Sequence, residues 1–145
     1  MSGNTPAIIQ GVTQAMRHLS DRQSVTAQNI ANSETPGYRA RDVEAPDFSD
    51  LVEAVGAGTG APAVKRPRVQ LTSGMTALGA SAPSGSHIIL DRNVSETKPN
   101  GNNVTVEDQL LRMGQVQADF TAMTGLYRKQ MGLLRAALGR TGGGG

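Results

Sequence analysis

Asn29-Ile30-Ala31-Asn32-Ser33-Glu34-Thr35-Pro36-Gly37-Tyr38-Arg39-Ala40 is the stretch on which the fold turns. Proline disfavours helical geometry in the residue before it, so a helix arriving from the N-terminal side has to stop ahead of Pro36. Pro36 and Gly37 suit the two central positions of a type II turn, where proline presets the first dihedral and glycine enters the second without strain. The chain is therefore expected to leave a helix, reverse, and run extended through Tyr38, Arg39 and Arg41, whose side chains alternate between opposite faces.

Upstream of the turn, Ile9, Val12, Met16, Leu19 and Ile30 follow the three/four spacing of an apolar helical stripe, with Gln23 and Thr26 at intervening inward positions. This predicts one helix over about residues 6 to 32, with Pro6 in its first turn and Asn4 or Thr5 as cap. Its second half is rich in amides, Gln23, Gln28, Asn29 and Asn32. Buried amides fix register and choice of partner at some loss of stability, whereas exposed ones simply face water.

At the other end of the chain, Val106, Leu110, Met113, Val116 or Gln117, Phe120, Met123 or Thr124, Tyr127, Met131, Leu134 and Leu138 keep the same rhythm. A helix of that extent is about 50 Å long at ~1.5 Å per residue. Thr105-Val106-Glu107-Asp108 reads as a capping box at its start. Acids sit in its first turn and Lys129, Arg135 and Arg140 lie towards its end, as the helix dipole favours.

The sequence between is rich in Gly, Ala, Ser, Thr and Pro over residues 54 to 86, a composition that builds no core of its own. Val69-Gln70-Leu71 and His87-Ile88-Ile89-Leu90 are candidate strands of a short β-hairpin. The reading is therefore a mainly α fold: two long terminal helices packing as a coiled-coil or helical bundle around an irregular middle. Its divisions are 1–35 for the N-terminal helix, 36–104 for the turn and middle, 105–140 for the C-terminal helix, and 141–145 for a frayed tail.

Composition limits what such a chain does. Among 145 residues there are two Phe, two Tyr, no Trp and 18 Gly, so the large side chains that fill a core are nearly missing and order is expected to depend on neighbours. Cysteine is absent, which excludes disulfides and thiolate chemistry. A net charge of +2 is too balanced for a polyanion-binding protein. His18 and His87 lack helical metal-site partners, and no nucleophile, phosphate-loop or paired-carboxylate pattern is present. No enzyme, cofactor, metal, nucleic acid or small-molecule substrate is expected. The start lacks the features of a cleaved signal peptide, and no apolar run is long enough to span a bilayer. Lys65, Arg66 and Arg68 oppose an acidic run, Glu34, Asp42, Glu44, Asp47, Asp50 and Glu53, and the two are expected to pair between subunits.

Two stripes of this length have to be buried, either against each other or against other chains, and periodicity alone leaves both open. The motif narrows the choice. Asn29-Ile30-Ala31-Asn32, two residues, then Thr35-Pro36-Gly37-Tyr38 resembles the N-terminal signature of the flagellar rod and hook axial protein family. Asn100-Gly101-Asn102-Asn103-Val104 before the last helix, the short length, and the Arg17-His18-Leu19 to Gln28 stretch resemble its proximal rod members in particular. The likeness covers residues 7 to 53 and 98 to 139 and leaves out the middle.

The resemblance implies a structural subunit of the basal body rod, made in the cytoplasm, exported without a cleaved signal and assembled in the periplasm. Its implied partners are other rod proteins, the rod-base adaptor at the membrane ring, and the flagellar export gate. Subunit contacts are then expected at Ile9, Val12, Met16, Leu19, Gln23, Asn29, Ile30, Asn32, Thr35, Pro36, Gly37, Tyr38, Arg39, Leu110, Met113, Phe120, Tyr127, Met131, Leu134 and Leu138. The alternatives are the second type of proximal rod protein and, from another class, a helical-hairpin export chaperone or adaptor.

Overall fold

The computed structural model describes residues 6–49, 52, 72–79 and 87–141. Helix α1 spans Ala7–Ala31, strand β1 Arg41–Val43, a short helix α2 Ser73–Ala77, strand β2 Ile88–Leu90, and helix α3 Val106–Thr141. The long helices form an antiparallel pair: Asn29 near the end of α1 meets Gln109 at the start of α3, and Ile9 lies beside Leu134. The mainly helical fold with two packed terminal helices is thus as the periodicity indicates.

Helix α1 begins one residue past Pro6, whose carbonyl accepts from the Ile9 and Gln10 amides, and no side chain caps it among the described residues. Asn4 and Thr5 lie outside those residues. Its buried face is Ile9, Val12, Leu19, Val25, Thr26 and Asn29. Gln23 is exposed and Ile30 half-buried, because the inward row passes through Val25, Thr26 and Asn29 instead. The capping box at α3 does not form. The Thr105 hydroxyl is buried without a partner, and Asp108 instead accepts from the Ser95 hydroxyl.

β2 pairs antiparallel with β1, with Asp42 opposite Ile89. The expected partner Val69–Leu71 lies outside the described residues. The ladder is lengthened at both ends by Glu44 N–H to His87 O (2.8 Å) and Asp91 N–H to Ala40 O (2.9 Å). Ala40, Val43, Val104 and Val116 complete the apolar core begun by α1. That core is made of small side chains and gathers at the end of the pair where the turn lies. Farther along α3, Leu110, Phe120, Leu133 and Leu138 are exposed, since one helix covers only one stripe of its surface.

Candidate functional site

The turn forms as its residues require. Gly37 has φ +72, and Tyr38 N–H bonds back to Thr35 O at 3.2 Å, closing the type II turn over Pro36 and Gly37. What the motif does not reveal is its partner. Asn100–Val104, from the far end of the chain, lies against it. Gly37 N–H donates to Asn100 O at 2.9 Å. Gly101, with φ +84, comes so close to Gly37 that an added Cβ would sit 3.4 Å from the Gly37 Cα. Two left-handed glycines back to back allow this approach, and a side chain on Gly101 would meet both strain and crowding.

Three asparagines join the two motifs. Asn102 has no exposed surface; its Nδ2 donates to Asn32 O (2.9 Å) and Thr35 O (2.8 Å), while its Oδ1 accepts from Val104 N–H (2.8 Å). Asn103 Oδ1 accepts from Ala40 N–H at 2.6 Å. Asn29, also fully buried, donates to Gln109 Oε1 (2.9 Å) and Arg41 O (2.7 Å). Its Oδ1 accepts from Arg41 N–H (3.0 Å) and the Tyr38 hydroxyl (3.2 Å). Lys98 adds an outer tie, donating to Ser33 O (3.0 Å) and Glu34 (3.3 Å). Because both amide atoms of Asn29 and of Asn102 have partners, the arrangement is specific as well as cohesive.

A charge cluster fastens the ribbon to both helices. Asp42 on β1 meets Arg22 of α1 (3.2 Å) and Arg112 of α3 (3.6 Å), and Arg112 also holds Asp91 at 2.6 Å and Asn93 O at 3.0 Å. Two members of the acidic run are therefore paired within the chain, Glu34 with Lys98 and Asp42 with these arginines. Glu44 and Asp47 also have partners. Asp50, Glu53, Lys65, Arg66 and Arg68 lie outside the described residues.

His18 lies beside this cluster, half-buried, with Nδ1 lacking a partner. Burial, then the nearby Arg22 charge, hold its pKa below the usual 6.5, partly offset by Asp42 and Asp21. The fold thus favours neutral imidazole. Its contribution to stability is fully present above the unfolded value near 6.5 and is lost as pH falls below it. The melting temperature is expected to drop between pH 7.5 and 5.5, and His18→Gln to flatten that slope in a thermal melt series.

Of the residues expected at subunit contacts, Ile9, Val12, Leu19 and Asn29 are buried within this chain. Met16, Ile30, Asn32, Tyr38, Met113, Tyr127, Met131 and Leu134 are half-buried. Gln23, Thr35, Pro36, Gly37, Arg39, Leu110, Phe120 and Leu138 face outwards. Asn102, Asn103, Gln109, Asp91 and Arg112 were not expected at the site. Asn102 and Asn103 stand in a recognisable motif, but nothing in the sequence shows that it meets residues 63 to 70 positions away.

The family model for flagella basal body rod proteins matches residues 12–39, which includes the second half of α1 and the turn. The flagellar basal body rod protein FlgB of Escherichia coli K12 is 28% identical over 128 residues, covering 85% of this chain and 89% of its own. FlgB of Yersinia enterocolitica is 26% identical over 131 residues, covering 84% and 89%. FlgB of Bacillus subtilis 168 is 25% identical over 135 residues, covering 93% and 94%. These alignments reach both terminal helices and the latch between them, so the chain is similar to flagellar basal body rod proteins over most of its length.

Proposed function

We propose that this chain is a proximal rod subunit that helps carry torque from the membrane ring to the distal rod and hook. The carrying observation is the mismatch between the helices and their own core. α3 runs for 36 residues, yet Leu110, Leu133 and Leu138 remain exposed after it has packed on α1. Apolar surface of this kind is covered when helices of several subunits bundle along one axis. The outward residues of the turn, Thr35, Pro36, Gly37 and Arg39, then meet the next subunit, and the divisions 1–35, 36–104 and 105–140 act as axial helix, connector and axial helix. Other rod proteins, the rod-base adaptor and the export gate are the partners this role requires. No helix among the described residues is long and apolar enough to cross a membrane. A periplasmic rod location, reached by export without a cleaved signal, fits this role.

The test is assembly in cells lacking the native subunit. Gly37→Val forces a β-branched residue to φ +72 and is expected to cut motility and recovery of the protein in purified basal bodies at least tenfold. Ala57→Val, in the Gly/Ala-rich middle, is expected to leave both near normal. Equal effects would remove the turn from the assembly role.

A further inference from the structure

We propose that Asn29 is the positioning residue of the β-ribbon, its carboxamide standing in for a strand on the inner edge of β1. The ladder register assigns Ala40 O, Asp42 and Glu44 N–H to the β2 side: Ala40 O and Glu44 N–H bond to Asp91 and His87, and Asp42 lies opposite Ile89. Arg41 therefore turns its N–H and C=O the other way, towards α1. Both are taken by one side chain, Asn29, at 3.0 Å from the N–H and 2.7 Å from the C=O. A hydrogen-bonded residue pair in an antiparallel ladder exchanges bonds in this same two-point way.

A carboxamide has one acceptor and one donor group in a plane, as a peptide unit does, so asparagine can imitate a strand where a helix end faces a strand edge. The remaining valences of Asn29 go to Gln109 and the Tyr38 hydroxyl, which fix the amide's orientation from α3 and from the turn. The next inward amide of β1, Val43 N–H, is closed by the Asp42 carboxylate at 2.8 Å. Asn29 thus ties the β1 backbone to the helix pair, beside the apolar packing of Ala40 and Val43 and the ion pairs of Asp42. A two-stranded ribbon of three-residue strands is marginal by itself, so losing this anchor frees it.

The experiment measures amide hydrogen-exchange protection by NMR in the full-length protein, each variant compared with the unmodified chain at each pH. Asn29→Asp removes the donor and sets a buried carboxylate against Arg41 O and Gln109 Oε1. At pH 7.5 protection at Arg41, Asp42 and Glu44 is expected to fall about tenfold to a hundredfold, with much smaller changes in mid-α1 and mid-α3. Burial raises the pKa of the new carboxyl, so protonation towards pH 5 restores a donor and with it much of the protection. Gln109→Ala, which spares both bonds to Arg41, is expected to lower overall stability while keeping the ribbon protected relative to the helices. Three outcomes overturn the proposal: no protection at Arg41 in the unmodified chain, a loss in Asn29→Asp that does not respond to pH, or equal release of the ribbon by Gln109→Ala.

Discussion

Asn102→Ala is expected to lower the unfolding free energy by about 3 kcal/mol, at ~1 kcal/mol for each of three hydrogen bonds lost. The side chain is sealed from solvent and bonds only to backbone: the carbonyls of Asn32 and Thr35 and the amide of Val104. Alanine leaves the Val104 N–H without its acceptor and takes one of two donors from each of Asn32 O and Thr35 O, which keep the Thr35 and Tyr38 amides. Asn100→Ala removes one part-buried, local bond from the Asn102 amide and is expected to cost about 1 kcal/mol. Urea unfolding followed by circular dichroism compares the two. If they prove equal, the latch is not what holds the helix ends together. For a domain with stability on the order of 5–10 kcal/mol, the loss at Asn102 is large.

Arg112→Met is expected to cost about 3–5 kcal/mol, since it strands a buried carboxylate. The Asp91 side chain is 3% exposed and 2.6 Å from the Arg112 guanidinium. Its other described bond, from Asn93 N–H, does not neutralise it. Adding Asp91→Asn is expected to recover most of the loss, because the charge left behind is then absent. Arg22→Met, by contrast, leaves Asp42 partly solvated and still near Arg112, for a cost under ~1 kcal/mol. A double-mutant cycle in denaturant measures the coupling. Independent, additive effects at Arg112 and Asp91 would show that the pair contributes nothing as a pair.

Both predictions fall on residues that periodicity passes over, and the reason is physical. Three/four spacing finds apolar stripes, so it located α1 and α3 from Ile9, Val12, Leu19, Val116 and Tyr127. It also chose Leu110 over Gln109, because it ranks residues by hydrophobicity. The structure buries Gln109 and exposes Leu110, since what α1 offers at that level is the Asn29 amide. Spacing alone placed Gln23 inward, whereas the buried row runs through Val25. A capping box at Thr105 was equally reasonable from spacing, but Ser95 takes the Asp108 carboxylate first. Local rules yield to a partner that sequence distance hides.

The sequence by itself determined the two terminal helices, the stop before Pro36, and the glycine turn with its positive φ, because each follows from the covalent geometry and side chains of neighbouring residues. Its signature motif also carried the resemblance to rod proteins. Only the tertiary structure decided what the motif holds. Asn29 and Asn102 are hydrogen-bonding side chains whose partners are backbone groups, and a backbone carbonyl has no sequence signature. Pairing Asn100–Val104 with the turn, β2 with β1, and Arg112 with Asp91 depends on the helices folding back antiparallel, which brings distant groups together only once the chain is packed.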